Sequence, residues 1–140
     1  MNSPRKPVPL ADPDTAPWWN AAKESRLVAQ QCGACSHRFF PPRPRCPACT
    51  SGNLDWMTLS GRGRVHTFCI TRMALVRGFE PPYVVAVVEL DDLPGSRVTA
   101  NIADCAIDAV KIGMPVEVFF EDRGREVVIP QFRPAPQDAR

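Results

Sequence analysis

Four of the six cysteines fall into two pairs, Cys32-Gly33-Ala34-Cys35 and Cys46-Pro47-Ala48-Cys49, with the spacing C-x2-C-x10-C-x2-C. No other feature constrains the fold so tightly. Each C-x-x-C can wrap a tight turn around one ion, offering two thiolates and backbone N–H groups that stabilise sulfur charge. Two such knuckles supply the tetrahedral sulfur set that Zn2+ prefers, and iron suits the same set. Four protein ligands close the site, so the metal expected here is structural and leaves no position for a substrate. Gly33 and Pro47 suit the turns, and Pro41, Pro42 and Pro44 in the spacer favour a rigid loop over a helix. The competing readings are two disulfides or a redox pair. The polar, proline-rich N-terminal stretch has no apolar run of the kind a secretory signal carries, so an oxidising compartment is not implied and a cytoplasmic chain is expected. A thioredoxin-like motif would occur once, at a helix start after a strand.

The 140 residues suit one compact domain, or an appendage plus a domain. Sixteen prolines, about twice the usual ~5%, work against long helices and favour a mainly β chain. Residues 1–17 hold five prolines and read as an extended arm. Pro17-Trp18-Trp19-Asn20-Ala21-Ala22-Lys23-Glu24-Ser25 can form a short helix, with Pro17 in its first turn and Asp14 or Thr15 as cap. Helix and ribbon together span 18–56. Beyond them the pattern turns to strands: 65–72; 83–90, apolar enough to be buried on both faces; an alternating run at 98–102; and a hairpin, 116–120 and 126–129, around Asp122-Arg123-Gly124-Arg125. Gly61-Arg62-Gly63 reads as a turn or bulge. Five short strands with turns between them predict a five-stranded OB-type barrel over 57–132. Residues 130–140 carry three prolines and are expected to trail along the surface, 133–140 as a tail.

The longest apolar run, 83–88, is far shorter than the roughly 20 residues a membrane helix needs, so no spanning segment is expected. Charge is uneven: residues 1–79 hold 11 Lys/Arg and 4 Asp/Glu, residues 80–140 hold 6 and 11. A basic half suits an anionic partner, nucleic acid or a phosphorylated small molecule; two ordinary solvated faces explain it as well. Cys69 lies in an apolar strand pattern and reads as a buried small hydrophobe, while Cys105 has no assigned role. His37 follows the first knuckle as a solvent or supporting residue, and His66 reads as a packed or edge histidine.

Taken in order, these residues resemble the DUF35 family, whose members are rubredoxin-like zinc ribbons fused to an OB-fold. The pieces that carry the resemblance are the two knuckles, Phe40-Pro41-Pro42, Ser60-Gly61-Arg62-Gly63-Arg64-Val65, Pro82-Tyr83-Val84-Val85-Ala86 and Ile112-Gly113-Met114-Pro115-Val116, within about residues 18–132. The resemblance implies an accessory subunit associated with a thiolase-superfamily protein: a thiolase, an acyltransferase or a lipid-transfer-protein-type aldolase. It also implies that the OB part helps to hold the CoA portion of an acyl-CoA while ribbon and helix contact the partner. Arg62, Arg64, Arg72 and Arg77, close in sequence to Phe79 and Tyr83, are then candidate contacts to phosphate and adenine, since a guanidinium can donate two hydrogen bonds at once. Trp18 and Trp19 are the candidate partner interface.

Two other classes compete. A zinc-ribbon/OB module can bind nucleic acid, but stacking wants aromatics among Lys and Arg on the central strands, and 84–88 and 98–102 have none. An independent enzyme would need a catalytic constellation. No G-x-S-x-G, H-E-x-x-H or phosphate-binding glycine loop occurs, and the acid pairs Asp91-Asp92 and Glu121-Asp122 read as solvated turns. The chain alone is therefore expected to be non-catalytic.

Overall fold

Pro17 sits at the start of α1 (Ala16–Lys23), where its missing N–H costs nothing. Thr15 is the N-cap, yet the side chain that gathers this end is Asp12, whose Oδ1 accepts from the Thr15 N–H (2.8 Å) and hydroxyl (3.0 Å). Ser25, at φ 59°, turns the chain into the ribbon. The computed structural model describes residues 5–124 and 126–136. Residues 1–4 of the expected arm, 137–140 of the expected tail and Arg125 of the expected hairpin turn lie outside the described residues.

The ribbon is an antiparallel sheet, β2 (Arg38–Phe39), β1 (Val28–Cys32) and β3 (Leu54–Thr58) in that order, with Gln30 opposite both Phe39 and Trp56. The second sheet has the order β6-β5-β4-β7-β8, built from β4 (Arg62–Thr71), β5 (Tyr83–Leu90), β6 (Arg97–Asn101), β7 (Pro115–Gly124) and β8 (Val127–Pro134). Its edges curl towards each other and meet in a parallel bridge between Ile102 and Phe132, with the Ala103 N–H donating to the Phe132 carbonyl at 2.9 Å. This is the connectivity of a partly open five-stranded OB barrel, as the strand pattern predicts.

Three expectations are corrected. Between Val65 and Thr67 the β4–β5 register shifts, leaving His66 as an extra residue. Before this bulge Gly63 and Val65 face the core, and after it the inward positions become Phe68 and Ile70, so Cys69 is exposed rather than buried. On β5 only one face is fully buried (Val84, Ala86, Val88, Leu90), while Val85 and Val87 are half-buried. Residues 130–134 do not trail along the surface: β8 continues to Pro134, and Phe132 is wholly enclosed. Two prolines are tolerated because β8 is fully paired only with β7, and N–H groups missing from its other side cost little.

One hydrophobic core joins the two sheets. Trp18, Leu27, Val28 and Ala29 from helix and ribbon pack with Val65, Val88, Val116 and Phe132 from the barrel. A separate small cluster of Cys32, Phe39 and Cys46, with Leu54 against it, sits at the far end of the ribbon.

Candidate functional site

The two knuckles fold alike, and backbone hydrogen bonds show why. The Cys32 N–H donates to the His37 carbonyl and the Ser36 N–H to the Cys32 carbonyl, at 2.8 and 2.9 Å. In the second knuckle the Cys46 N–H donates to Ser51 and the Thr50 N–H to Cys46, both at 2.9 Å. Ser36 (φ 66°) and Thr50 (φ 65°) occupy the same left-handed position in each turn. Gly33 serves close approach instead: a Cβ there would meet the Asn53 side chain at 2.7 Å. The spacer loop is pinned by Gln30, whose Nε2 donates to the Arg43 carbonyl (3.0 Å) while its Oε1 accepts the Arg43 N–H (2.7 Å).

These turns converge four sulfurs. All four Sγ atoms lie within 4.8 Å of one another, with Cys32–Cys49 at 3.5 Å and Cys35–Cys46 at 3.6 Å. A tetrahedron with Zn–S bonds of about 2.3 Å has edges near ~3.8 Å, so the donor set fits a tetrahedral ion. Backbone N–H groups of Ala34 and Ala48 point at the Cys32 and Cys46 sulfurs, both at 3.3 Å. Cys32 and Cys46 are buried, whereas Cys35 and Cys49 face solvent. The Cys35 and Ala34 N–H groups bring the Cys32 thiol down to about 6. Cys35, despite the His37 N–H that favours its thiolate, is pushed up to about 12 by desolvation and the neighbouring sulfurs. One thiolate forms readily while crowding resists the next, a conflict that a bound cation resolves. The four cysteines form a rubredoxin-like metal-binding site.

The arginine and aromatic candidates do not form one cluster. Arg62 and Arg64 stand at the start of β4, beside a cleft of about 510 Å³ floored by Met114, Pro115 and Pro134. Arg64 is held by donating to the Gly113 carbonyl at 3.0 Å. Tyr83 pairs with Thr71 at the other end of β4, nine residues from Arg62 and seven from Arg64, or roughly 24 to 30 Å along the strand at the usual rise. Phe79 packs 5.1 Å from Tyr83 beside a second cleft of about 540 Å³, and Arg72 and Arg77 lie exposed in the loop between β4 and β5. Trp18 is in the chain's own core, edge-on to Trp19 at 4.6 Å and 5.8 Å from Phe40, which corrects its expected place on a partner interface. Its Nε1 is buried without a hydrogen-bond partner among the described residues. Trp19 is half-buried.

Residues 19–55 match the family model described as "ChsH2, rubredoxin-like zinc ribbon domain", and residues 56–121 match "ChsH2, C-terminal OB-fold domain". A "DUF35 domain-containing scaffold protein" of Methanothermobacter thermautotrophicus is 36% identical over 117 residues, covering 80% of this chain and 86% of that protein. The chain belongs to the DUF35 family. A protein of Thermomonospora curvata named "Probable enoyl-CoA hydratase alpha subunit" is 41% identical to this DUF35 chain over 136 residues. That match covers 95% of the chain but spans only 41% of the relative's length. Among solved structures, "Ltp2-ChsH2(DUF35) aldolase" superposes with a TM-score of 0.85 at 40% identity, covering 91% of this chain and 99% of that one. Among the described residues no helix is long and apolar enough to cross a membrane.

Proposed function

We propose that this DUF35 chain is a non-catalytic accessory subunit of a cytoplasmic acyl-CoA-processing assembly, bound to a thiolase-superfamily enzyme and helping to hold the CoA part of its substrate. One observation carries the reading: the likeness to the DUF35 chain of the Ltp2–ChsH2 aldolase, at 40% identity and over nearly the full length of both chains. The relative named as a hydratase alpha subunit supports the acyl-CoA setting.

The metal in this reading is Zn2+, held by Cys32, Cys35, Cys46 and Cys49, and its chemistry is to fix the ribbon by four-coordinate ligation. For CoA, the Arg62/Arg64 cleft is the better suited of the two. Its two guanidinium groups can pair with phosphate, and its floor of Met114 and prolines suits a flat heterocycle. In the second cleft the charged groups already engage one another: Glu121 takes Lys6 at 3.1 Å, and both Lys6 and Arg123 lie over Phe79. In this reading the CoA role falls to Arg62 and Arg64, with Arg72, Arg77, Phe79 and Tyr83 set apart from them at the other end of β4.

Affinity purification of the tagged chain from its native cells tests the assembly. A thiolase-superfamily protein in stoichiometric yield is expected, and nuclease-sensitive nucleic acid without such a partner would replace this reading with the nucleic-acid module. Calorimetric titration of the purified complex with CoA tests the cleft. Arg62→Ala with Arg64→Ala should weaken binding at least about tenfold, by loss of charge-assisted hydrogen bonds; unchanged affinity would remove CoA from this surface.

A further inference from the structure

Much of the exposed apolar surface of the described chain is gathered in one loop. Three of its five strongly exposed large apolar residues, Met73 (68%), Leu75 (70%) and Val76 (42%), fall within four positions between β4 and β5. Arg72 and Arg77 bracket them, both exposed and neither in an ion pair among the described residues. Removing such a tip from water is favourable, so it is suited to burial against another surface.

The base of this loop is held in place. Gly78 has φ +90°, and a Cβ there would lie 2.6 Å from the Lys6 backbone nitrogen, so the arm at 5–7 crosses directly over it. Lys6 lies 4.8 Å from the Phe79 ring centre and pairs with Glu121, while Arg123 donates to the Pro7 carbonyl at 2.8 Å and covers the same ring. Phe79 in turn packs on Tyr83, the first residue of β5. The arm therefore braces the loop from one side while leaving residues 73–76 projecting.

We propose that residues 72–77 are a docking loop that enters an apolar groove, rimmed with carboxylates, on the partner enzyme subunit. The inference rests on the accessory-subunit reading and adds which part of the chain makes the contact. Charge selects the occupant: two bracketing guanidinium groups call for an anionic rim around an apolar centre. A second copy meeting loop to loop about a two-fold axis would crowd four arginines together. Against a lipid surface, the tip offers no Trp or Tyr for the headgroup region.

The test installs a photoreactive benzophenone amino acid in place of Leu75, which is exposed at the loop tip. Irradiation is performed in the native cells, and the products are identified by mass. The expected result is a crosslink from position 75 to the same enzyme subunit that co-purifies with the wild type. Met73→Asp with Leu75→Asp should weaken binding to that purified subunit about 30-fold or more, as loss of an interface anchor does, with metal content and circular dichroism unchanged. A subunit that co-purifies but neither crosslinks at 75 nor loses affinity for the variant overturns the docking loop and leaves the accessory-subunit reading standing. Absence of any co-purifying subunit, or a crosslink from 75 only to lipid or to a second copy, overturns the loop as well; the former also removes the reading on which it rests.

Discussion

The barrel encloses Phe132, Leu90, Val65, Val84, Val88 and Val116 almost completely, whereas the far end of the ribbon encloses two cysteines and Phe39. The barrel can thus be held by apolar burial and a continuous ladder of hydrogen bonds. The ribbon's outer half has too little apolar surface for that, and ligation of one ion substitutes for the missing core. Between them lies a shared joint, where Trp18 touches Phe40 on the ribbon side and packs in the barrel's cluster on the other. The difference predicts that the metal end of the ribbon can open while the barrel stays folded, and it orders the consequences of mutation.

The largest effect should come from Cys32→Ser. Structural zinc contributes on the order of 10 kcal/mol in small zinc domains, so losing one buried ligand should abolish metal binding and unfold the ribbon. The barrel strands should survive, which metal analysis together with circular dichroism will show. Phe132→Ala is the converse: a truncation in the barrel core costs about 3–5 kcal/mol and should lower the denaturation midpoint while metal content stays at one ion per chain. Trp18→Phe probes the joint. It keeps the ring but removes a buried N–H with no partner among the described residues, so thermal melting should change by no more than about 1 kcal/mol, the lost contact area offsetting the relieved polar burial.

The smallest effect belongs to the arm. Although burial works against its charge, Glu121 is held below the ordinary carboxylate range by hydrogen bonds from Gln131 and Lys6 and by the Arg123 guanidinium. A lowered folded value means that the stabilisation is present above the ordinary carboxylate pKa and lost as pH falls through the folded one. Being half open to water, the pair contributes less than about 1 kcal/mol. Acidification should therefore raise amide exchange around residues 5–8 and 78–80 before it affects β4–β8, and Glu121→Gln should remove that pH dependence.

Legibility from sequence follows the range of the interactions. The four ligands were readable because a knuckle is local: spacing alone brings two sulfurs to one turn. Strands β5 to β7 were readable because valine-rich runs and alternation are local too. The bulge at His66 was not, since one extra residue is invisible in composition yet inverts every later side chain of β4, Cys69 included. Pro130 and Pro134 suggested an exposed tail because the edge position that tolerates them is a property of the assembled sheet. The arginine set looked like one cluster because its members are near in sequence, whereas an extended strand separates its two ends most of all. Ser36 and Thr50 in left-handed conformations carried one faint signal, the equal offset of each from the first cysteine of its knuckle.

The most direct test of the two-part account is hydrogen–deuterium exchange of the purified chain with and without a strong zinc chelator. Chelation should release protection in β1–β3 and both knuckles, leaving the β4, β5, β7 and β8 amides as slow as before. Simultaneous loss of protection in ribbon and barrel, or no change in either, would contradict it.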